Sequence, residues 1–242
     1  MPSLSRATSS LPYLVLFDID GTLVRRSGPR HREALEFAAQ RVMGVDASTE
    51  GIPTHGMLDT DILAAMLRRE KVPLAEIREA MAAMAETAEA RFLRRGPDSL
   101  KDCICPGARG LLGRLRRRGT PLLLVTGNFP KIGWRKLELA GLREFFAGGA
   151  FAGMASTRAG LARIAIRDAR KRGWLNGSAA DSATVALIGD APSDIVAAHQ
   201  NGIRSIAVST GISTPDELRA HQPHLLVTRL SKLRISDLAA GQ

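Results

Sequence analysis

The sequence predicts an α/β fold, a Rossmann-like doubly wound parallel sheet with a small all-helical domain inserted after its first strand. Short apolar runs of strand character alternate with helical segments through most of the 242 residues. The exception is the stretch from Gly28 to Gly96, which has helical periodicity only. We therefore expect a core of residues 1–23 and 103–242 and a helical insertion over residues 24–102.

The first predicted strand, Tyr13 to Phe17, stops at an acidic loop. Glycine and proline residues divide the insertion into three predicted helices, at residues 34–43, 59–69 and 75–95. Further along the chain, the predicted helices are 108–118, 132–140, 161–171 and 194–201, and the predicted strands are 121–125, a short one within 144–151, 184–188 and 205–208. In such a sheet, ligands bind beyond the carboxyl ends of the strands.

Composition and charge narrow the class of protein. Hydrophobic residues make up 45% of the chain, but no apolar run approaches the roughly 20 residues that cross a bilayer. No signal-peptide pattern precedes the first strand, so we expect a cytoplasmic protein with no membrane partner. The formal charge of +10 would attract anionic substrates. Its densest cluster, Arg114 with residues 116–118, ends a predicted helix, where cations are favourable, so no specific nucleic-acid partner is expected.

Polar side chains follow three of the predicted strands. Asp18 and Asp20 come after the first strand, Thr126 after the second, and Asp190 and Asp194 after a later one. Five polar residues that converge from distant positions are hard to explain by structure alone. Because carboxylates this close repel one another, we expect a hard cation such as Mg²⁺ to neutralise them and in turn to attract a phosphate.

These residues lie in motifs that resemble the haloacid dehalogenase superfamily. Residues 18–23 read DIDGTL and look like its D-x-D-G-T-L signature, while Thr126 and residues 189–194, GDAPSD, match its second and fourth motifs in order. The helical insertion resembles the cap that closes over the active site in this family. Similarity to a phosphoglycolate-phosphatase-like branch is carried by residues 124–128, 136–142 and 208–212.

The resemblance implies a role for each acidic residue. Asp18 would be the nucleophile that forms an aspartyl-phosphate, and Asp20 would protonate the leaving alkoxide and then deprotonate water. Mg²⁺ would be held by the carboxylates of Asp18 and Asp190 and by the backbone carbonyl of Asp20, with Asp194 either a ligand through water or a residue that orients the ligands.

The resemblance also implies residues that hold the phosphoryl group. Thr126, with the backbone N–H of Gly127 or Asn128, would bind a nonbridging phosphoryl oxygen. The superfamily often neutralises this charge with a lysine that precedes a proline, but the chain contains no Lys-Pro pair. Lys136 and Arg158 are therefore both candidates for the basic residue.

Candidate substrate contacts lie in and beside the insertion. Residues 56–59, GMLD, resemble the G-x-T-D stretch of family caps, with Leu58 where threonine is usual. Asp59 and His55 belong to this region, and Arg25 lies just past the first motif. All three are candidate substrate-binding residues.

We predict a magnesium-dependent phosphatase that hydrolyses a small-molecule phosphate monoester through an aspartyl-phosphate intermediate. Asp20 argues against a dehalogenase, because a halide leaving group needs no proton. The insertion is poor in aromatic residues, which favours a small phosphorylated metabolite over a nucleotide. Phosphoglucomutase-like phosphoryl transfer and a noncatalytic basic binding protein are the alternatives, and the sequence leaves the oligomeric state open.

Overall fold

The computed structural model describes residues 14–25, 28–175 and 184–238. They contain a six-stranded parallel sheet with the strand order β3-β2-β1-β4-β5-β6. The strands are β1 (Leu14–Phe17), β2 (Leu122–Val125), β3 (Gly148–Ala150), β4 (Val185–Gly189), β5 (Arg204–Val208) and β6 (Leu225–Val227). The predicted fold class is confirmed. Tyr13, the predicted start of the first strand, lies outside the described residues.

The central strands are buried on both faces of the sheet. Every residue of β1 and β2 is buried, which explains why these strands are continuous apolar runs. Their side chains nevertheless alternate between two apolar clusters: Leu14 and Leu16 of β1 belong to one, and Val15 and Phe17 to the other. Two separate clusters, one on each face, are the packing expected of a doubly wound sheet.

Helices supply many of the other residues in both clusters. In the described ranges they are α1 (Arg30–Met43), α2 (Asp59–Arg69), α3 (Leu74–Arg95), α4 (Ala108–Arg117), α5 (Pro130–Leu139), α6 (Arg158–Lys171), α7 (Pro192–Gln200) and α8 (Pro215–Ala220). None of them is both long enough and apolar enough to span a membrane.

The inserted helices pack on one another, and α3 also packs on α5. Helix α1 lies along α3, and Leu35 and Leu63 of the insertion join the same apolar cluster as Leu16 of β1. The division into a core of residues 1–23 and 103–242 and a cap of residues 24–102 stays a proposal.

Parts of the secondary structure, among them the start of α1, helix α8 and strand β6, are not predicted by the sequence. Helix α1 begins at Arg30, before the predicted residue 34, because its first turn is polar and adds nothing to the apolar periodicity. Helix α8 and strand β6 are also absent from the prediction, because both are short and β6 is only partly buried.

The sheet topology brings three strand ends together. The chain builds β2 and β3 on one side of β1 and then β4, β5 and β6 on the other, so the strand order reverses beside β1. A crevice at this reversal is where open α/β sheets bind ligands. The loops after β1, β2 and β4 therefore meet at one place.

Replacing Leu16 by alanine is expected to lower the free energy of unfolding by about 2–5 kcal/mol, because Leu16 is fully buried in the central strand. Urea denaturation followed by circular dichroism measures the change. The control is Leu93→Ala, because the Leu93 side chain in α3 is 46% exposed and should contribute much less. Equal losses in the two variants would contradict the placement of β1.

Candidate active site

Three buried carboxylates form the centre of the site. Asp18, Asp190 and Asp194 each place a carboxylate oxygen within 4.8 Å of the other two. Asp18 follows β1, Asp190 follows β4, and Asp194 lies in the first turn of α7. The Thr22 hydroxyl donates to Asp190 Oδ1 at 3.0 Å, and the Ala191 backbone N–H donates to Asp194 Oδ2 at 3.1 Å. The folded chain therefore orients these carboxylates.

Three glycines allow the carboxylates to approach so closely. A Cβ atom on Gly21 or Gly211 would overlap the carboxylate of Asp190, and one on Gly189 would overlap that of Asp194. Gly21 also has a positive φ of 83°, which other residues rarely adopt. A larger side chain at any of these positions would have to displace an acidic group.

Burial and mutual repulsion disfavour the ionised carboxylates. The pKa of Asp190 is raised well above its usual value, first by burial and then by the charges of Asp18 and Asp194. Burial also raises the pKa of Asp194 to about 7, although the Arg158 charge opposes this. The cluster is therefore a site at which a further cation would be stabilising.

Arg158 provides one of the opposing charges. Its Nη1 atom donates to Asp18 Oδ1 at 2.8 Å and lies 3.2 Å from Asp194 Oδ1. Burial alone would lower the Arg158 pKa, but the charges of Asp194 and Asp18 outweigh it and raise the pKa. Of the two candidate basic residues, Arg158 is the one that contacts Asp18.

Two buried acceptor atoms in the cluster have no hydrogen-bond donor in the part of the chain that the structure describes. Asp190 Oδ2 and Asp194 Oδ1 are buried without a hydrogen-bond partner among the described residues. Buried acceptors are normally satisfied, and carboxylate oxygens are the ligands that Mg²⁺ prefers. Asp18, Asp190 and Asp194 thus fit a divalent cation. The Asp20 carboxylate is not in this cluster, and the sequence prediction gave that residue only a backbone carbonyl as ligand.

A second ion pair lies beside the first. Lys136 is almost fully buried, and its Nζ atom donates to both carboxylate oxygens of Asp20 at 2.7 Å. The same atom donates to Asn128 Oδ1 at 2.7 Å and lies 3.1 Å from His31 Nδ1. Lys136 therefore reaches the site as predicted, but it contacts Asp20 rather than Asp18.

The surroundings of Asp20 keep it ionised. Burial would raise its pKa, but Lys136, His31 and the hydrogen bonds from Lys136 and Asn128 outweigh burial, and the pKa is lowered. The side chain retains 42% of its surface open to the cavity. Asp20 is thus an accessible carboxylate that two donors hold in place.

The loop after β2 is built around Thr126. The Thr126 hydroxyl is buried and accepts from Asn128 Nδ2 at 2.7 Å, while the same amide group donates to Asp20 Oδ2 at 2.8 Å. The Gly127 carbonyl accepts from the Asp59 backbone N–H at 2.8 Å. Gly127 has no room for a Cβ, because that atom would meet the Met57 carbonyl oxygen.

The predicted residues of the insertion also reach the site. His55 Nε2 lies 2.9 Å from Ser213 Oγ and 3.7 Å from Asp190 Oδ2, and burial lowers its pKa. Asp59 is buried, and its Oδ2 atom accepts from the Phe129 backbone N–H at 2.7 Å. The Asp59 contact joins the insertion to the loop after β2, and the His55 contacts join it to the loops after β4 and β5. Their roles in substrate binding stay predictions.

All of the predicted residues except Asp194 line one cavity of about 1000 Å³. Other lining residues are not found by sequence reasoning. His31 lies 3.0 Å from Asp59 Oδ2 and contacts Lys136, but no motif marks it, because its position depends on how α1 packs. Thr210 lines the same cavity and donates to the Gly21 carbonyl at 2.6 Å. Two signals were available for Thr210: its place just after β5, and its position within residues 208–212, which carry part of the family resemblance.

The fold and the site together define a doubly wound α/β protein with an acidic centre and a helical insertion beside it. The chain belongs to the haloacid dehalogenase-like hydrolases, because the model of that family matches residues 14–202. The superfamily inferred from the motifs is thereby confirmed, and so is the class of enzyme as a hydrolase.

Relatives and solved structures agree with this family. The chain is 28% identical to the probable phosphatase IndB of Dickeya dadantii (strain 3937) over 227 residues. The aligned residues make up 91% of this chain and 91% of that protein. It is 30% identical over 151 residues to the phosphoglycolate phosphatase of Synechococcus elongatus, covering 60% of this chain and 66% of that protein.

Two solved structures have the same fold. CbbY from Rhodobacter sphaeroides, in complex with phosphate, superposes with a TM-score of 0.69 at 22% identity, over 94% of this chain and 99% of that one. The β-phosphoglucomutase of Clostridium difficile superposes with a TM-score of 0.67 at 18% identity, over 93% and 94%. At these identities the likeness concerns the fold alone.

Magnesium is expected to raise the melting temperature of the protein, and more at pH 8 than at pH 5.5. Without metal, the protons on Asp190 and Asp194 favour the folded state at acidic pH. This contribution is lost as the pH rises from 3.8, the ordinary carboxyl value, through the Asp194 pKa of about 7. Because Mg²⁺ must displace those protons, it binds better at pH 8. At saturating metal the rise should be roughly 5 °C or more by differential scanning fluorimetry.

A glycine variant tests whether this effect comes from the acidic cluster. Gly211→Ala should reduce the magnesium-dependent rise, because the added Cβ meets Asp190. The control is Gly110→Ala in α4, where the added Cβ meets only the far end of Arg114 at 3.8 Å. An unchanged rise in Gly211→Ala, or a rise that is larger at pH 5.5, would contradict the proposed metal ligands.

Proposed function

We propose that the protein is a magnesium-dependent phosphatase that hydrolyses a small-molecule phosphate monoester through an aspartyl-phosphate on Asp18. The observation that carries the proposal is the position of Asp18. It is buried against Arg158 at 2.8 Å, lies within 4.8 Å of two more carboxylates, and lines the cavity. The names of the two relatives, both phosphatases, support the same activity.

The first chemical step would be attack by Asp18. A carboxylate oxygen attacks phosphorus, the bond from phosphorus to the leaving oxygen breaks, and Asp20 gives that oxygen a proton. Bound Mg²⁺ would supply positive charge to the phosphoryl oxygens and to Asp18. Arg158 neutralises charge on the same carboxylate, and Thr126 with the backbone N–H of Gly127 or Asn128 would bind a phosphoryl oxygen.

The second step would be hydrolysis of the aspartyl-phosphate. Asp20 removes a proton from a water molecule, the water oxygen attacks phosphorus, and the bond between phosphorus and Asp18 breaks. The pair with Lys136 keeps Asp20 ionised at rest, the form that a general base needs. A phosphate monoester, whose second pKa is about 6, can bring the proton that the first step requires.

The two alternatives differ from this proposal in testable ways. A phosphoglucomutase-like enzyme would return the phosphoryl group to a sugar rather than to water. A noncatalytic basic binding protein would not need the intact acidic cluster. The densest positive cluster of the chain also makes intramolecular contacts. Arg114 donates to the Leu233 carbonyl at 3.1 Å, and Arg116 pairs with Glu144 at 3.5 Å.

The activity test is hydrolysis of p-nitrophenyl phosphate with magnesium or with excess EDTA. Wild-type turnover should require magnesium, and Asp18→Asn should lower it by roughly 10³-fold or more, because the nucleophile is lost. Asp98→Asn is the control, since Asp98 is exposed and lies outside the cavity.

Three results would contradict the proposal. One is full activity of Asp18→Asn, and another is wild-type turnover that is unaffected by EDTA. The third is an absence of hydrolysis together with phosphoryl transfer between sugar phosphates, which would favour the mutase alternative. Melting temperatures of the variants show whether each one is folded.

A further inference from the structure

More permanently cationic than acidic side chains line the cavity beside Asp18. Its acidic lining residues are Asp18, Asp20, Asp59 and Asp190, and its permanently cationic ones are Arg25, Arg32, Lys136, Arg158 and Arg229. Each acid has a basic neighbour: Arg158 for Asp18 at 2.8 Å, Lys136 for Asp20 at 2.7 Å, His31 for Asp59 at 3.0 Å and His55 for Asp190 at 3.7 Å. Arg25, Arg32 and Arg229 are not among these basic neighbours.

Three arginines of the cavity are left without a counter-ion. Within the described ranges, the side chains of Arg25, Arg32 and Arg229 form no ion pair and no hydrogen bond. Arg25 is half-buried, and the other two are exposed. This contrasts with Arg158 and Lys136, whose charges are already engaged by the catalytic carboxylates.

The three arginines come from separate parts of the chain. Arg25 lies past β1, where its backbone N–H donates to the Cys103 carbonyl at 2.8 Å. Arg32 lies in the first turn of α1, and Arg229 follows β6, where the next residue, Leu230, donates to the Pro106 carbonyl at 3.1 Å. The backbone at each position is thus fixed while the guanidinium group is available. Guanidinium groups bind carboxylates and phosphates with paired, charge-assisted hydrogen bonds.

We propose that Arg25, Arg32 and Arg229 bind a second anionic group of the substrate, a carboxylate or a phosphate, at the end of the molecule away from the phosphoryl group that is transferred. This inference rests on the proposed phosphatase function. It restricts the substrate to phosphate monoesters that carry another negative charge. The cavity of about 1000 Å³ has room for such a two-headed molecule.

A general attraction for anions is the competing explanation for these arginines. Positive charge at the mouth of a cavity speeds the arrival of every phosphate ester, whatever its other end carries. Direct contact acts differently, because it favours only those esters that have the second anion. General attraction also rises with the charge of the ester, so contact and attraction are separated by variants. Loss of a contacting arginine should lower the ratio of kcat/KM between an ester with an acidic second end and one with an uncharged second end, whereas loss of an equal charge elsewhere should leave that ratio nearly unchanged.

The experiment uses two matched pairs of esters with the magnesium-loaded enzyme. The first pair is 2-phosphoglycolate and its amide, and the second is ethylene glycol bisphosphate and 2-hydroxyethyl phosphate. The wild type should prefer the acidic member of at least one pair. A larger ratio in the first pair identifies a carboxylate as the second anion, and a larger ratio in the second pair identifies a phosphate.

Arginine variants then assign the preference to the residues. In Arg25→Gln, Arg32→Gln and Arg229→Gln the ratio should fall by about tenfold or more, as expected when a charged hydrogen bond is lost. The control is Arg117→Gln in α4, because Arg117 is exposed, forms no ion pair in the described part of the chain and lies outside the cavity. It removes the same charge without removing a contact. The melting temperature of each variant shows whether it is folded.

The outcomes separate failure of this proposal from failure of the phosphatase function. No hydrolysis of any ester by the wild type would refute the phosphatase function itself. Hydrolysis without preference for the acidic esters would overturn the second-anion site alone. Two further results would overturn the second-anion site. One is a wild-type ratio of kcat/KM in two or more of the three arginine variants, and the other is an equal fall of this ratio in Arg117→Gln.

Discussion

Asp18, Asp190 and Asp194 lie buried with carboxylate oxygens within 4.8 Å of one another, and the repulsion between them has to be offset. Arg158 offsets part of it from α6, while the raised pKa of Asp190 and of Asp194 shows that the balance is incomplete. A divalent cation would complete it and would also draw a phosphate into the cavity. Much of the surrounding structure, including the glycines that make room for the carboxylates, serves this one arrangement.

The site uses two cations for two different carboxylates. Arg158 contacts Asp18, the proposed nucleophile, and Lys136 contacts Asp20, the proposed acid and base. Both basic candidates that the sequence offered therefore reach the site, and each contacts a different carboxylate. His31 contacts Lys136 from the inserted helices, so part of the site is assembled only when the insertion packs against the core.

The sequence predicts the acidic centre well because parallel strands end at one edge of the sheet, which brings residues after β1, β2 and β4 together. Asp18, Thr126 and Asp190 are therefore identified without any structure. His31 is not, because its place depends on the packing of a polar helix turn that carries no periodic signal. Arg229 is missed for a related reason: it follows β6, a strand too short to be recognised.

The most direct test of the central claim is chemical trapping of the aspartyl-phosphate. The enzyme is mixed with substrate and magnesium, quenched during turnover and treated with borohydride, which reduces an acyl phosphate to an alcohol. Peptide mass spectrometry should then find homoserine at position 18, only when substrate is present and not in Asp18→Asn. Steady hydrolysis with an unmodified Asp18, or with the modification on Asp190 instead, would contradict the assignment of the nucleophile.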